Sequence, residues 1–281
     1  MPFIETKDKT KLFYKDWGTG KPVVLVHGWT VGSDSWEYAM IDLANRNFRA
    51  VAFDQRGCGR SDQPWNGYDY DTLADDLAAL LEHLDLRQVT LVGHSMGCGV
   101  ITRYLSRHGS ERVAANVFVA TTTPFLLKTE DNSEGIDKSV FDETIQALIN
   151  DRPQYINSLV EPFFGIGLPD ISVSPEMMQW AMNSCFQASM RATIETVRTN
   201  SETDMRKELT QITVPTLIIH GDGDLNTPLE ITGAKTAELM PNSRLKIYKN
   251  LAHGLYITHA KRLNDDIVDF IENSNKFAVS T

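Results

Sequence analysis

Along the first 120 residues, short runs of apolar residues alternate with amphipathic stretches. Lys11 to Trp17, Val23 to Val26, Arg49 to Phe53, Val89 to Val92 and Ala115 to Val119 read as strands. From Val23 onward these runs are almost continuously apolar, as strands buried on both faces are. Tyr70 to Leu84 carries Leu73, Leu77, Leu80, Leu81 and Leu84 at helical spacing behind Asp75 and Asp76. Strand, helix and strand in succession predict a parallel sheet with right-handed crossovers. The rhythm stops near Thr121 and resumes with Thr216 to His220 and Arg244 to Tyr248. The interval is helical in pattern and rich in Met, Phe and Pro. No Gly, Ser or charged linker separates the two parts, and no repeat is visible. We therefore expect one core from residues 1–120 and 211–281, with residues 121–210 inserted as a helical cap. Lys261 to Ile271, with Leu263, Ile267, Phe270 and Ile271 at helical spacing, should close the sheet, and the chain should fray beyond Glu272.

Charge narrows the partners. Lys plus Arg at 27 against Asp plus Glu at 37 leaves a net charge of −10 over 281 residues, which argues against nucleic acid or an anionic membrane surface. The start, Met1-Pro2-Phe3-Ile4-Glu5-Thr6-Lys7-Asp8, lacks the basic and apolar blocks of an export signal, and no run of eighteen apolar residues occurs. Cys58, Cys98 and Cys185 have neither disulfide-framework nor zinc-type spacing. The cytoplasm is the expected compartment, a small molecule the expected partner, and a homo-oligomer stays open.

The chemistry gathers at strand ends. Val89-Thr90-Leu91-Val92-Gly93-His94-Ser95-Met96-Gly97-Cys98-Gly99 sets G-x-S-x-G between a predicted strand and a predicted helix, Val100 to Arg107. A bare G-x-S-x-G arises by chance in roughly one chain in ten of this length, so the context carries the reading. That context is the nucleophile elbow of an α/β-hydrolase, in which a strained turn exposes a serine, here Ser95. Gly93 and Gly97 would keep Cβ atoms away where strand and helix nearly touch. A dinucleotide reading of Gly97-Cys98-Gly99-Val100-Ile101-Thr102 fails for want of a third glycine.

An acid and then a histidine should follow in the chain. Thr216-Leu217-Ile218-Ile219-His220-Gly221-Asp222-Gly223-Asp224 ends a strand in a loop with two aspartates, of which Asp224 is preferred and Asp222 is the alternative. A calcium loop over the same residues fails, because Thr227 and Gly233 stand where glycine and glutamate are needed. His253 follows the strand ending at Tyr248 and is preferred over His259, which should open a helix at the surface. His27-Gly28-Trp29 follows the strand Val23 to Val26. The backbone N–H groups of Trp29 and Met96 are the expected oxyanion donors, whereas the His27 and Trp29 side chains are as well read as packing. Candidate substrate-pocket residues are Thr30, Phe125, Phe163, Phe164, Met182, Phe186, Asn226 and Leu255, with Trp180 as a further cap aromatic. Asp54-Gln55-Arg56-Gly57-Cys58-Gly59-Arg60-Ser61-Asp62 reads as a glycine-punctuated turn whose charges tie loops together. No metal or cofactor is expected.

With these residues in view, the chain resembles the cofactor-free haloperoxidase, perhydrolase and arylesterase group of α/β-hydrolases. The similarity runs through Phe13-Tyr14-Lys15-Asp16-Trp17-Gly18, His27-Gly28-Trp29, Gly57-Cys58-Gly59-Arg60-Ser61-Asp62-Gln63-Pro64-Trp65 and Gly93 to Gly99. It continues in Arg103-Tyr104, Pro162-Phe163-Phe164-Gly165, Glu202-Thr203-Asp204, His220 to Asp224 and Ala252-His253-Gly254. The resemblance implies a mostly parallel eight-stranded sheet flanked by helices with an inserted helical cap, and it favours the second aspartate of H-G-D-x-D, Asp224, as the acid. It also implies either ester hydrolysis or peracid formation from a carboxylate and hydrogen peroxide. Many members carry proline after H-G-W, a residue associated with favouring peroxide over water, and Thr30 stands there in this chain. Gly97-Cys98-Gly99 replaces the usual three glycines, and Asn226 and Thr227 replace apolar residues beside the acid.

The expected reaction is therefore cleavage of small carboxylic esters through an acyl-enzyme on Ser95, with His253 as base and Asp224 fixing its tautomer. A neutral base means that activity should fall in acid. The alternatives are peracid formation, opening of a lactone or γ-lactam, and a ligand-binding receptor on a hydrolase scaffold. The last would not need all three residues, and all three are present.

Overall fold

The computed structural model describes residues 2–273. Eight strands form one sheet in the order β1-β2-β4-β3-β5-β6-β7-β8: β1 (Phe3–Glu5), β2 (Lys11–Trp17), β3 (Lys21–Val26), β4 (Phe48–Phe53), β5 (Val89–His94), β6 (Val113–Val119), β7 (Thr216–Gly221) and β8 (Ser243–Tyr248). β1 and β2 join antiparallel, and every pairing from β4 to β8 is parallel. Chain order reverses between β3 and β5, where Val26 lies opposite Gly93. In open parallel sheets such a reversal opens a crevice at the carboxyl ends of the strands, which is where ligands bind.

Ten helices flank or cap the sheet among the described residues: α1 (Glu37–Asn45), α2 (Tyr70–His83), α3 (Met96–His108), α4 (Lys138–Phe164), α5 (Pro175–Phe186), α6 (Met190–Glu202), α7 (Arg206–Leu209), α8 (Gly233–Leu239), α9 (Leu255–Thr258) and α10 (Ala260–Asn273). Alternate residues of a strand face opposite sides, so each buried strand feeds two layers. Val24, Val26, Val51, Phe53 and Leu91 pack with Leu73, Leu77, Leu80 and Leu81 of α2 and with Val100, Ile101 and Tyr104 of α3. Val23, Leu25, Ala50, Ala52 and Val92 pack with Met40 and Leu43 of α1 and with Leu263, Ile267, Phe270 and Ile271 of α10.

The interval between β6 and β7 contains α4, α5 and α6. A break at Asp151 (φ −156°, ψ 82°) divides α4, and the Asp151 Oδ1 accepts from Gln154 N–H at 2.9 Å to cap the second half, in whose first turn Pro153 is tolerated. Ser174 and Ser189 cap α5 and α6 in the same way. The return to the core starts earlier than residue 211, since Met205 and Leu209 are buried in the layer formed with α2 and α3. Four elements had no counterpart in the sequence reading: the three-residue edge strand β1, the short helices α8 and α9, and α1, which follows a 3-10 turn at Ser33–Trp36. Apart from Asn273, which belongs to α10, the segment beyond Glu272 expected to fray lies outside the described residues.

The charged turn after β4 is a knot of buried polar groups. Asp54 accepts Ser33 N–H at 2.6 Å and Arg60 N–H at 2.8 Å. Arg56, 2% exposed, grips Asp76 with Nε and Nη2, both at 2.7 Å, and reaches the half-exposed Asp8 at 2.8 Å. Removing one member of a buried ion pair strands the other in a place that water does not reach. Asp76→Ala should therefore cost about 3 kcal/mol of stability, the low end for such pairs because Asp8 still serves Arg56. Urea unfolding checks this, and a midpoint equal to that of wild type would reject it.

Candidate active site

Five strand ends deliver the site. Ser95 follows β5 with φ 54° and ψ −122°, a conformation that costs a non-glycine residue roughly 1–3 kcal/mol and that the surrounding packing must enforce. Its N–H donates to Val119 O at 2.9 Å, which ties the turn to β6. A Cβ on Gly97 would stand 2.4 Å from Val26 O, so only glycine lets α3 start this close to β3. On the other side, a Cβ on Gly28 would lie 3.1 Å from the Ser95 Cβ, which shows how tightly the loop after β3 lies against the elbow. Met96 is the first residue of α3, where an amide has no acceptor within the helix.

The loop after β7 holds Asp224, 4% exposed, by several donors. Its Oδ1 accepts the backbone N–H groups of Asn226 and Thr227, both at 2.9 Å, in the local pattern that an Asp two or three residues upstream provides. Its Oδ2 accepts Thr227 Oγ1–H at 2.8 Å and the Nδ1–H of His253 at 2.7 Å. Burial alone would raise the Asp224 pKa, but the charge of His253 and hydrogen bonds from His220 and His253 outweigh it and hold the carboxyl well below the usual range. With Nδ1 donating to a carboxylate, the neutral His253 ring presents Nε2 as an acceptor. Asp222 instead accepts Asn250 N–H and stabilises the loop after β8, and the partly exposed His259 ends α9 with its Nδ1 on Thr258.

Three residues of the site were not found from the sequence. Thr227 Oγ1 stands 3.1 Å from His253 Nδ1 as well as on Asp224. His220, read as a mere strand residue, lies 3.5 Å from Asp224 Oδ2 through its Nε2 and donates to Thr227 O at 2.8 Å. His94, the variable residue of G-x-S-x-G, donates from Nε2 to His253 O at 3.1 Å and packs 4.7 Å from the His253 ring. Burial, reinforced by the charge of His253, holds His94 far below the usual histidine value, so it remains a neutral support. Nothing in linear spacing marks the last two. The D-x-N-T run does suggest that Thr227 would cap the aspartate.

Ser95 and His253 open on one cavity of about 540 Å³ between sheet and cap. Of the residues read as pocket candidates, Thr30, Phe163, Phe164, Trp180, Met182 and Asn226 line it, and so does Trp29. Thr30 holds φ 60°, rare for a β-branched residue. The Trp29 indole donates to Thr193 O of α6 at 3.0 Å, tying this loop to the cap, while His27 accepts Gln55 N–H on Nε2 at 2.9 Å and braces the loop from below. Three expected pocket residues are not in the wall. Phe125 is buried beside the Arg206 guanidinium, 5.3 Å from its ring, and Phe186 packs inside the cap with Arg152 over its ring. Leu255, 1% exposed, opens α9 toward α1 and α10, because the helical turn sends Tyr256 and Ile257 to the cavity in its place.

Comparison with known proteins agrees with this geometry. A family model for the alpha/beta hydrolase fold matches residues 21–260. The non-heme haloperoxidase of Rhodococcus erythropolis is 40% identical over 274 residues, covering 97% of this chain and 100% of that protein. A bifunctional esterase/perhydrolase from Acinetobacter calcoaceticus is 38% identical over 277 residues, with the same 97% and 100% coverage. Among solved structures, the bromoperoxidase from Bacillus anthracis has a TM-score of 0.90 at 41% identity, over 94% of this chain and 96% of that one. With eight mostly parallel strands, a serine elbow and relatives matched end to end, the chain belongs to the α/β hydrolase fold family, within its non-heme haloperoxidase, perhydrolase and arylesterase group.

Proposed function

We propose that the protein hydrolyses uncharged carboxylic esters through an acyl-enzyme on Ser95. The observation that carries this reading is the 2.7 Å bond from His253 Nδ1 to a carboxylate, with His253 and the strained Ser95 opening on the same cavity. Ser95 Oγ attacks the ester carbonyl while His253 Nε2 takes its proton, and the N–H groups of Trp29 and Met96 receive the oxyanion. Collapse of the tetrahedral species releases the alcohol, protonated by His253. Water then attacks the acyl-enzyme, with His253 again as base, and frees the acid.

Charge defines the substrate class. No Lys, Arg, Asp or Glu occurs among the described residues that line the cavity. An unpaired carboxylate entering it would lose its hydration without gaining a cation, at a cost of several kcal/mol. A neutral ester or lactone meets no such penalty. No helix among the described residues is long and apolar enough to cross a membrane, and the three free cysteines fit a reducing compartment such as the cytoplasm.

A fluorophosphonate reports on the nucleophile directly. We expect one covalent adduct, mapped by mass spectrometry to the peptide holding Ser95, with loss of hydrolysis in step with labelling. Labelling elsewhere, or none, contradicts the proposal. The bifunctional Acinetobacter relative favours a second use of the same intermediate, attack by hydrogen peroxide instead of water to release a peracid. Thr30 in place of proline leads us to expect water to win. Partitioning of one aryl acetate between acetate and peracetate at fixed peroxide tests this, and a peracetate majority would reverse it.

A further inference from the structure

Among the polar side chains of the cavity wall that ester cleavage does not use, Asn200 is held by two buried hydroxyls. Val197 and Asn200, three residues apart on α6, both reach the cavity, whose lining also includes Thr122, Leu126, Ile136 and Phe141. Asn200 Oδ1 accepts from Tyr70 OH at 2.9 Å and from Thr122 Oγ1 at 2.7 Å, and both of those residues are 4% exposed. With both hydroxyls donating to that oxygen, the NH2 end of the amide is the one left for the cavity. Asn200 Nδ2 then holds two N–H donors with no acceptor among the described residues. The group shares the cavity with Ser95 and is tied to the elements that carry it. Thr122 lies three residues beyond Val119, whose carbonyl accepts Ser95 N–H, and the Tyr70 ring packs against Gly99 in the first turn of α3.

Asn200 is partly exposed to the cavity, so a substrate that displaces water from its amide leaves these donors unpaired unless it supplies an acceptor. We infer that Asn200 is a specificity-determining residue whose Nδ2 donates to an ether or keto oxygen in the acyl arm of the substrate. The preferred esters thus carry an acceptor oxygen a few bonds from the scissile carbonyl and are not purely hydrocarbon. This rests on the ester-hydrolysis reading above. Tyr70 and Thr122 act through Asn200 by fixing which end of its amide faces the substrate.

The test uses four p-nitrophenyl esters, the hexanoate and three analogues in which oxygen replaces the methylene at position 3, 4 or 5. For each protein, kcat/KM of an oxa ester is divided by that of the hexanoate and corrected by the same ratio for alkaline hydrolysis, so general losses of activity cancel. For wild type the corrected ratio should reach about 3- to 10-fold at one position, the worth of a single hydrogen bond, and in Asn200→Leu it should fall to one or below. If Asn200→Leu does not fold, Thr122→Val takes its place, and the ratio should drop toward one as the amide becomes free to turn. A wild-type ratio at or below one at every position, or a ratio unchanged in the variant, overturns the inference while leaving ester hydrolysis intact. Failure of wild type to cleave any of the four overturns both.

Discussion

Ser95→Ala is expected to lower kcat for an aryl ester by about 10⁵- to 10⁶-fold, the loss seen when a serine hydrolase is deprived of its nucleophile. The substitution removes one hydroxyl and leaves the elbow in place. Alanine meets the same steric cost at φ 54° as serine does, and the contacts of Gly97 with Val26 and of Ser95 N–H with Val119 are untouched. The variant should therefore fold, with the Trp29 and Met96 amides leaving a residual rate above that in water. His253→Ala should cost a similar factor, and combining the two should cost little more, because a base without a nucleophile has nothing to deprotonate. Steady-state kinetics on the single and double variants decide the matter. More than about 1% of wild-type kcat in Ser95→Ala would mean that acyl transfer does not pass through this oxygen.

Asp224→Asn should reduce kcat by about 10⁴-fold with the fold intact. In wild type the two carboxylate oxygens divide the work, Oδ1 taking the Asn226 and Thr227 amides and Oδ2 taking Thr227 Oγ1 and His253 Nδ1. An asparagine that keeps its oxygen on the two backbone amides must turn its NH2 toward His253. Nδ1 is then forced to accept, the ring proton moves to Nε2, and the base toward Ser95 is lost. Activity within tenfold of wild type would assign the tautomer to another group. Stability supplies a second reading of the same variant. Because the Asp224 carboxyl is held below its ordinary range, its ionised form contributes stability that is fully present above the unfolded-state pKa and is lost as pH falls below it. Wild type should lose stability in acid more steeply than Asp224→Asn, as thermal melts across that range would show.

Local chemistry explains what could be read in advance. The central strands β3, β4, β5, β6 and β7 are mostly apolar because both faces are covered, so their pattern survives without knowledge of their neighbours. The elbow is legible because Gly93 and Gly97 are demanded by backbone contacts that any such turn makes. β1 went unread because three residues hold too little pattern. Leu255 was placed in the pocket because a residue two positions beyond His253 looks exposed to substrate until the turn of α9 is known.

The residues proposed to do the chemistry, and the order in which they occur, were determined by the sequence, since each follows a strand legible on its own. What surrounds them was decided only by the tertiary structure. His94, His220 and the Asn200 amide act through partners 159, 4 and 130 residues away along the chain, at distances of 3.1, 3.5 and 2.9 Å. Such contacts, even the shortest in sequence, depend on how loops from separate strands and a cap helix come to rest against one another, and no local pattern encodes that.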